Sequence, residues 1–451
     1  MGSTLHRPRG RLVRSVSAGT AASAVLLSFV AGVRADVNLQ TRTSVGVTDN
    51  INLAFEDGNK IDETFQIVAT TFGVNGATTR TSTNLAGNLQ YYRYVHDSFD
   101  DELIGGASLN FVGDVVPERF RWRVTDNFGQ QTLNPLGMIA PGNRQDVNIF
   151  RTGPDFMLPL GSRTRADLQL RRSSSSFEQS NIDSSRNDAG LSFTRQHGTV
   201  WSSSIGVSSQ NVEYDDVDGF DFDRKAIFLS ARATGGRTSL TISVGENRIE
   251  NPLGDADGVQ FSVGFNRQLA GPGTLSFSVA RNFSDAGNLF RFNQDNFINV
   301  GQSQDNFATP DVFENTTGFI NYFRTTPLTD WAVQGYWRKD EFQTQTQFNR
   351  DEFGVRFVLR RSLGARWELG VNGGSVRRDL QGLREEDDTH IWSFELMRRI
   401  GRTLGVGFDR QFIRRDQGRV GFDRKENRYS VFFNYQRQRS GIVREPVLDT
   451  L

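Results

Sequence analysis

Residues 260–266 read Gln260-Phe261-Ser262-Val263-Gly264-Phe265-Asn266, with apolar side chains at the odd positions and small or polar ones at the even positions. Side chains alternate between the two faces of a β-strand, so this segment has one apolar and one polar face. The same period of two recurs at 240–244, 275–279, 353–359, 367–371, 404–408 and 429–435. No segment after residue 35 shows the 3.6-residue apolar stripe of an amphipathic helix. We therefore predict an all-β protein.

The connectors between the predicted strands alternate in length. Short ones rich in glycine or proline occur at 75–78, 116–118, 160–162, 196–198, 235–236, 270–273, 326–328, 362–364 and 400–402. Longer stretches rich in Asp, Asn and Gln separate them, including 56–62, 132–146, 215–221, 287–311 and 380–388. Tight turns on one side and long loops on the other are typical of bacterial outer-membrane barrels.

This alternation predicts a transmembrane antiparallel up-and-down β-barrel of about 20 strands, within a range of 18–22. Its short turns are expected on the periplasmic side and its longer loops on the extracellular side. A soluble β-solenoid is the alternative fold, but its repeat would be shorter than the interval between these turns.

The composition is polar and yet rich in aromatic residues. The 451 residues include 52 Lys+Arg, 52 Asp+Glu, 36 Phe and no Cys, and the mean hydropathy is −0.47. Balanced charge gives no overall field that would attract nucleic acid. The lack of cysteine excludes disulfides and thiolate metal sites. A barrel with an apolar outer wall and a wet lumen accounts for both properties, because only half of each strand then needs to be apolar.

The first 35 residues have the layout of a secretory signal peptide. Four arginines between positions 7 and 14 precede an apolar and small-residue stretch at 16–33, and Val33-Arg34-Ala35 offers a cleavage site. A single membrane anchor is the alternative. We predict a signal peptide at 1–35 that is cleaved after Ala35, a barrel at 36–438 in the outer membrane of a Gram-negative bacterium, and a polar tail at 439–451.

Two short motifs resemble a known family. Residues 47–53 read Val-Thr-Asp-Asn-Ile-Asn-Leu, and residues 127–137 read Asn-Phe-Gly-Gln-Gln-Thr-Leu-Asn-Pro-Leu-Gly. With the arginine-containing segment 119–123 after a tight turn, they resemble the PEP-CTERM/exosortase system-associated outer-membrane β-barrels, which are linked to exopolysaccharide and related to β-barrel porin 2. The resemblance implies a role with surface polysaccharide or exported protein. It brings no catalytic or ligand-binding residue with it.

Six charged residues are candidates for the lining of the lumen, because they fall on the predicted polar faces of spanning strands: Arg356, Arg360, Glu368, Glu395, Asp409 and Arg410. Mixed charges inside a wide barrel tune which solutes enter it. The alternative is a set of screened ion pairs that merely fills the lumen.

The longest predicted loop contains one four-residue sequence twice, as Gln294-Asp295-Asn296-Phe297 and as Gln304-Asp305-Asn306-Phe307. Planar amides and carboxylates beside aromatic rings suit the hydroxyls and the apolar face of a sugar. These eight residues are our candidate glycan contacts. A solvated loop with a chance repeat is the alternative.

No group of residues predicts catalysis. His96, His197 and His390 are expected at separate places, and His96 has only Asp97, Asp100 and Asp101 nearby. No G-x-S-x-G motif accompanies them. We expect neither an enzyme nor a cofactor or metal site.

The leading functional hypothesis is a pore or accessory component linked to exopolysaccharide or PEP-CTERM protein export at the cell surface. Two alternatives stay open: a general diffusion porin for small polar solutes, and a non-conducting structural or glycan-binding barrel. The expected partners are outer-membrane lipid and lipopolysaccharide, the barrel-assembly machinery and surface polysaccharide. No nucleic-acid partner is expected.

Overall fold

The computed structural model describes residues 35–55, 58–133, 143–217, 219–285, 287–288, 309–382, 385–416 and 423–438. The predicted signal peptide, apart from residue 35, and the predicted C-terminal tail lie outside the described residues. The candidate glycan contacts at 294–297 and 304–307 lie outside them too. Among the described residues, no helix is long and apolar enough to cross a membrane.

Twenty β-strands make up the described chain: β1 (Ala35–Thr48), β2 (Glu63–Ala77), β3 (Thr81–Tyr94), β4 (Glu102–Val116), β5 (Phe120–Thr132), β6 (Arg144–Pro159), β7 (Thr164–Phe177), β8 (Ser184–Gln196), β9 (Trp201–Tyr214), β10 (Phe222–Thr234), β11 (Thr238–Glu250), β12 (Ala256–Gln268), β13 (Gly273–Ser284), β14 (Phe313–Thr325), β15 (Thr329–Phe342), β16 (Arg350–Leu363), β17 (Trp367–Leu380), β18 (Glu385–Arg399), β19 (Leu404–Asp416) and β20 (Arg424–Gln438).

The sheet closes on itself. Every strand pairs antiparallel with the next one along the chain, and β1 also pairs with β20, from Asn38 opposite Gln438 to Thr48 opposite Arg428. Closure satisfies the backbone hydrogen bonds of both terminal strands, which is how a spanning sheet avoids bare edges in lipid. The predicted all-β, up-and-down barrel is confirmed, and the observed strand number is 20.

The connections alternate as the sequence predicted. Those that follow even-numbered strands are short, as between Ala77 and Thr81, and the nine predicted turns fall there. Those that follow odd-numbered strands are generally longer, most of all between Ser284 and Phe313. We call the two rims of the barrel the turn end and the loop end. The first residues of β1 and the last of β20 lie at the turn end.

The wall has an apolar outer face and a more polar inner face. On β1, Val37, Val45 and Val47 face outward and are 44–52% exposed, whereas Ser44 and Thr48, at alternate positions to them, face inward and are buried. Large apolar side chains are exposed outward on the other strands too, with tryptophan or tyrosine at several places, such as Trp337, Trp392 and Tyr429. This is the amphipathic pattern of a lipid-facing barrel wall.

Glycines give space to aromatic rings on neighbouring strands. A Cβ at Gly354 would lie 2.1 Å from Cε1 of Tyr336, and a Cβ at Gly407 would lie 2.3 Å from Cζ of Phe432. Both pairs are on the inner face, and both rings are buried there. An aromatic ring that covers a strand glycine fills the gap that the missing side chain leaves.

Candidate functional site in the barrel lumen

The inner wall at the loop end is packed with apolar side chains. Val147 and Ile149 of β6 pack with Phe177 and with Ile182 of the β7–β8 loop. A second buried cluster draws on β9 to β11, on β13 and on the last residue before β14: Val212, Phe222, Ile249, Phe283 and Val312. Apolar side chains that face inward near the loop end are therefore packed against each other and are not exposed to a water-filled channel.

A set of buried ion pairs crosses β15 to β19 at the same level. We call it the charge ladder: Arg338, Asp340, Arg350, Glu352, Arg378, Asp387 and Arg415. None of the seven is more than 7% exposed. Asp340 accepts hydrogen bonds from Arg350 (2.7 Å) and Arg338, and Arg378 donates to Glu352 (3.0 Å).

The ladder ends in a bidentate pair. Nε and Nη2 of Arg415 lie 2.8 and 2.6 Å from the two carboxylate oxygens of Asp387. Buried charges are tolerated in this way only when opposite charges and hydrogen bonds compensate them. The alternation of signs along the ladder provides that compensation, so these side chains form a fixed part of the wall.

One ion pair crosses the interior. Nη2 of Arg186 on β8 lies 2.6 Å from Oδ2 of Asp285, which follows β13 directly, and both side chains are less than 5% exposed. The two strands are five apart in the wall, which at about 4.8 Å per strand is roughly 24 Å along the sheet. Because contact is made at 2.6 Å, these side chains bridge inner surfaces that are distant along the wall.

The turn end differs from the loop end. Inward-facing side chains there are exposed, among them Asn38, Arg165, Gln196, Arg232, Asn266 and Arg399. The lumen is thus packed at the loop end and accessible at the turn end within the described part of the barrel.

Five of the six candidate lumen charges lie on the inner face. Glu368 accepts a hydrogen bond from Arg399 and forms an ion pair with Nε of Arg360 at 3.1 Å. Glu395 stands directly opposite Asp409 and binds Nη1 of Arg42 at 2.6 Å. Arg356 faces inward between Gln334 of β15 and Gly374 of β17.

Arg410 lies on the outer face, so its prediction as a lumen charge is wrong. Adjacent residues of a strand face opposite sides, and Asp409 occupies the inner one. Arg410 stands opposite Tyr429, with its guanidinium carbon 5.3 Å from the centre of that outward-facing ring. The arginine therefore interrupts the lipid-facing surface.

Sequence reasoning missed Arg42, which joins the two ends of the sheet. Its guanidinium carbon lies 3.6 Å from the centre of the Phe432 ring on β20 and reaches Glu395 on β18. The pair spans 353 positions of the sequence, so no local pattern identifies it. The charge ladder was missed as well, although its members do stand at alternate positions of their strands.

The histidines lie apart from one another. Nδ1 of His96 is 2.9 Å from a carboxylate oxygen of Glu63 at the loop end, whereas His197 lies in the β8–β9 turn and contacts Oγ of Ser203 at 2.7 Å. Asp101 binds the Tyr91 hydroxyl instead of His96. No group of three or more His, Cys, Asp or Glu suited to a metal ion occurs among the described residues.

No family model and no curated protein matches the sequence. Similar solved structures include the FrpB iron transporter from Neisseria meningitidis, with 8% identity, 89% of this chain and 81% of that chain covered, and a TM-score of 0.45. The siderophore receptor PirA from Acinetobacter baumannii has 6% identity, with 89% and 80% covered and a TM-score of 0.42. At this level the similarity does not extend to function. What the fold and the lumen define is an outer-membrane-type β-barrel with a polar, partly packed interior.

Proposed function

We propose that the protein is a transport or accessory barrel of the outer membrane, whose lumen takes up solute from the periplasmic side. The observation that carries this proposal is the difference between the two ends of the lumen. Apolar clusters and buried ion pairs fill the loop end, whereas polar side chains at the turn end are accessible. Outer-membrane barrels point their short turns toward the periplasm, so the accessible end is the periplasmic one.

The proposal includes location and assembly. Residues 1–35 serve as a signal peptide that is removed after Ala35, and the barrel-assembly machinery inserts the rest into the outer membrane of a Gram-negative bacterium. The outward-facing apolar side chains then contact lipid, and lipopolysaccharide surrounds the loop end. The support is the apolar outer face, with Trp337, Trp392 and Tyr429 exposed on it.

A link to exopolysaccharide or PEP-CTERM protein export is the finer part of the proposal. It rests on the sequence resemblance of 47–53 and 127–137, and the neutral polar part of the inner wall is compatible with it. Asn75, Asn84 and Asn88 face inward on β2 and β3, and the hydroxyls of Ser204 and Ser230 meet on β9 and β10. Amides and hydroxyls of this kind exchange hydrogen bonds readily with sugar hydroxyls.

A general diffusion porin is the competing function, and the Arg186–Asp285 pair argues against it. A porin needs an aqueous channel from end to end, whereas this buried pair crosses the interior near the loop end. The proposed barrel therefore rests in a state of low conductance and needs a rearrangement at the loop end for solute to pass.

Single-channel recording in planar bilayers tests the proposal. The wild-type barrel is expected to conduct far less than an open barrel of 20 strands, and Asp285→Asn is expected to raise the frequency of open events. Glu250→Gln is the matched control, because it breaks the exposed Lys225–Glu250 pair on the outer face at a similar distance (2.9 Å). Stable conductance in the nanosiemens range from the wild type would identify a diffusion porin. Silence of both the wild type and Asp285→Asn would favour a structural barrel.

A further inference from the structure

A cavity of about 500 Å³ opens at the turn end, between the β4–β5 turn and the inner faces of β5, β6 and β7. Four arginines line it: Arg119 from the turn, Arg121 and Arg123 from β5, and Arg165 from β7. Its size falls within the range of small-molecule sites, which is about 300–1,000 Å³. None of these four arginines is among the candidate lumen charges.

The β4–β5 turn is fixed above the cavity. Glu118 has a φ of 59°, a left-handed conformation that non-glycine residues adopt only in constrained turns. The Arg119 N–H donates to the Val116 carbonyl (3.0 Å), and the Arg119 carbonyl accepts the Met157 N–H of β6 (2.8 Å). The turn is thereby attached to a strand outside its own hairpin, which holds Arg119 at the mouth of the cavity.

Carboxylates hold the other arginines in place. Arg121 pairs with Asp114 at 2.7 Å, Arg123 with Asp155 at 2.6 Å, and Arg165 with Asp167 at 2.8 Å. Arg171 also donates to Asp155. Each of these pairs uses only part of the five N–H donors of a guanidinium, so further donors remain for a ligand.

The accessible surface of the cavity is cationic even though its formal charges nearly balance. The side chains of Arg123 and Arg165 are 40% and 55% exposed, whereas those of Asp155 and Asp167 are only 8% and 12% exposed. Asp155 and Asp167 thus lie behind the guanidinium groups, and the exposed acid of the lining is Glu118 in the β4–β5 turn, next to Arg119. An anion that passes Glu118 would thus meet the guanidinium donors of Arg123 and Arg165 before it meets Asp155 and Asp167.

We propose that this arginine cavity binds a small organic anion that carries two or more carboxylates. A guanidinium matches a carboxylate in shape and can donate two parallel hydrogen bonds to it. Asp155, which two arginines share, displays the same arrangement inside the protein. Pro117, Met157 and Pro159 line the cavity beside the arginines and offer apolar contact to the carbon skeleton of the ligand. The proposed function bears on this inference in one respect: it places the turn end, and therefore the entrance of the ligand, on the periplasmic side.

Isothermal titration of the purified full-length barrel in detergent micelles tests the site, with propane-1,2,3-tricarboxylate as the probe. We expect binding that weakens as salt is added, because the contacts are electrostatic and partly exposed. The double variant Arg119→Gln/Arg165→Gln is expected to lower the affinity at least tenfold. Arg237→Gln and Arg402→Gln are matched controls, since both arginines lie in other short turns at the same end of the barrel; each should keep the wild-type affinity.

Three results would overturn the proposal: no binding by the wild type, equal loss in the cavity and control variants, or equally tight binding of the uncharged trimethyl ester of the probe. Heat-modifiable migration in SDS gels verifies that each variant is folded. The titration needs no membrane and no solute flow, so its outcome is independent of the bilayer recordings. A freely conducting barrel that still bound the probe would refute the proposed function and leave the anion site standing.

Discussion

Arg42 of β1 and Glu395 of β18 form an ion pair of 2.6 Å that reaches across β20 and β19, where the first and last parts of the chain meet. The guanidinium also lies over the ring of Phe432 on β20, 3.6 Å from its centre. The pair therefore fastens the closure of the barrel from the inside, in addition to the backbone hydrogen bonds between β1 and β20.

Replacing Arg42 tests this closure. Arg42→Met would leave Glu395 directly opposite Asp409 without a cation between them, and the expected loss is about 1–3 kcal/mol of unfolding free energy. Urea titration of the barrel in lipid vesicles measures it. The addition of Glu395→Gln should restore part of the loss, because it removes the like-charge pair. Equal stability of wild type and Arg42→Met would show that the pair contributes nothing to closure.

The same substitution, aspartate to asparagine, should change the stability of the barrel by different amounts at the neighbouring residues Asp387 and Asp388. Asp387 is 1% exposed and holds Arg415 and Arg378 on the inner face, whereas Asp388 holds Arg377 on the outer face. Asp387→Asn leaves buried arginines uncompensated and is expected to cost about 3–5 kcal/mol. Asp388→Asn should change stability by less than about 1 kcal/mol. Similar losses in the two urea titrations would contradict the assignment of a buried ladder.

A methyl group at Gly354 should disturb the inner wall. The new Cβ would lie 2.1 Å from the Tyr336 ring, and overpacking of this kind costs about 1–3 kcal/mol. Gly264→Ala on β12 is the control, because nothing lies within 4 Å of its Cβ position. The two variants are compared by the temperature at which half of the protein has lost the folded, heat-modifiable band in SDS gels. A midpoint for Gly354→Ala as high as that of Gly264→Ala would mean that Tyr336 moves aside freely.

Replacement of Arg410 is expected to act in the opposite direction from the variants above, toward higher stability. A charged side chain on the lipid face costs up to about 2–4 kcal/mol at mid-depth and about 0–1 kcal/mol near the interfaces, while the contact with Tyr429 returns about 0.5–1 kcal/mol. Arg410→Leu is therefore expected to leave stability nearly unchanged if the residue lies near an interface, or to raise it by about 1–3 kcal/mol if it lies at mid-depth. A loss of that size in urea titration would point to a lipid or protein anion bound at this arginine.

The architecture could be predicted because its determinants are local. Alternation of side chains within a strand, as at 260–266, and Gly/Pro turns such as 270–273 act over a few residues, so they are visible in the sequence. The interior could not be predicted in the same way. Arg186 and Asp285 are separated by 99 positions, and only the curvature of the closed sheet brings them together.

The error at Arg410 has a definable cause. Residues 409–411 read Asp-Arg-Gln, so both faces of β19 are polar at that point and the alternation that assigns a face is lost. The register with β20 resolves it, because Arg410 stands opposite Tyr429 and Asp409 opposite Ser430. Where an outward-facing position carries a charge, residue polarity alone does not show which face of the strand lies toward the lumen and which toward the lipid.

The pairing of β1 with β20 has a consequence for biosynthesis. The segment that supplies the second neighbour of β1, residues 428–438, is synthesised after the other nineteen strands of the described barrel. Until it arrives, β1 and the newest strand both present unpaired N–H and C=O groups, which can join the sheet of another chain. A nascent or truncated chain that lacks the final hairpin can therefore associate with its copies through two open strand edges, whereas the pairing of β1 with β20 closes both.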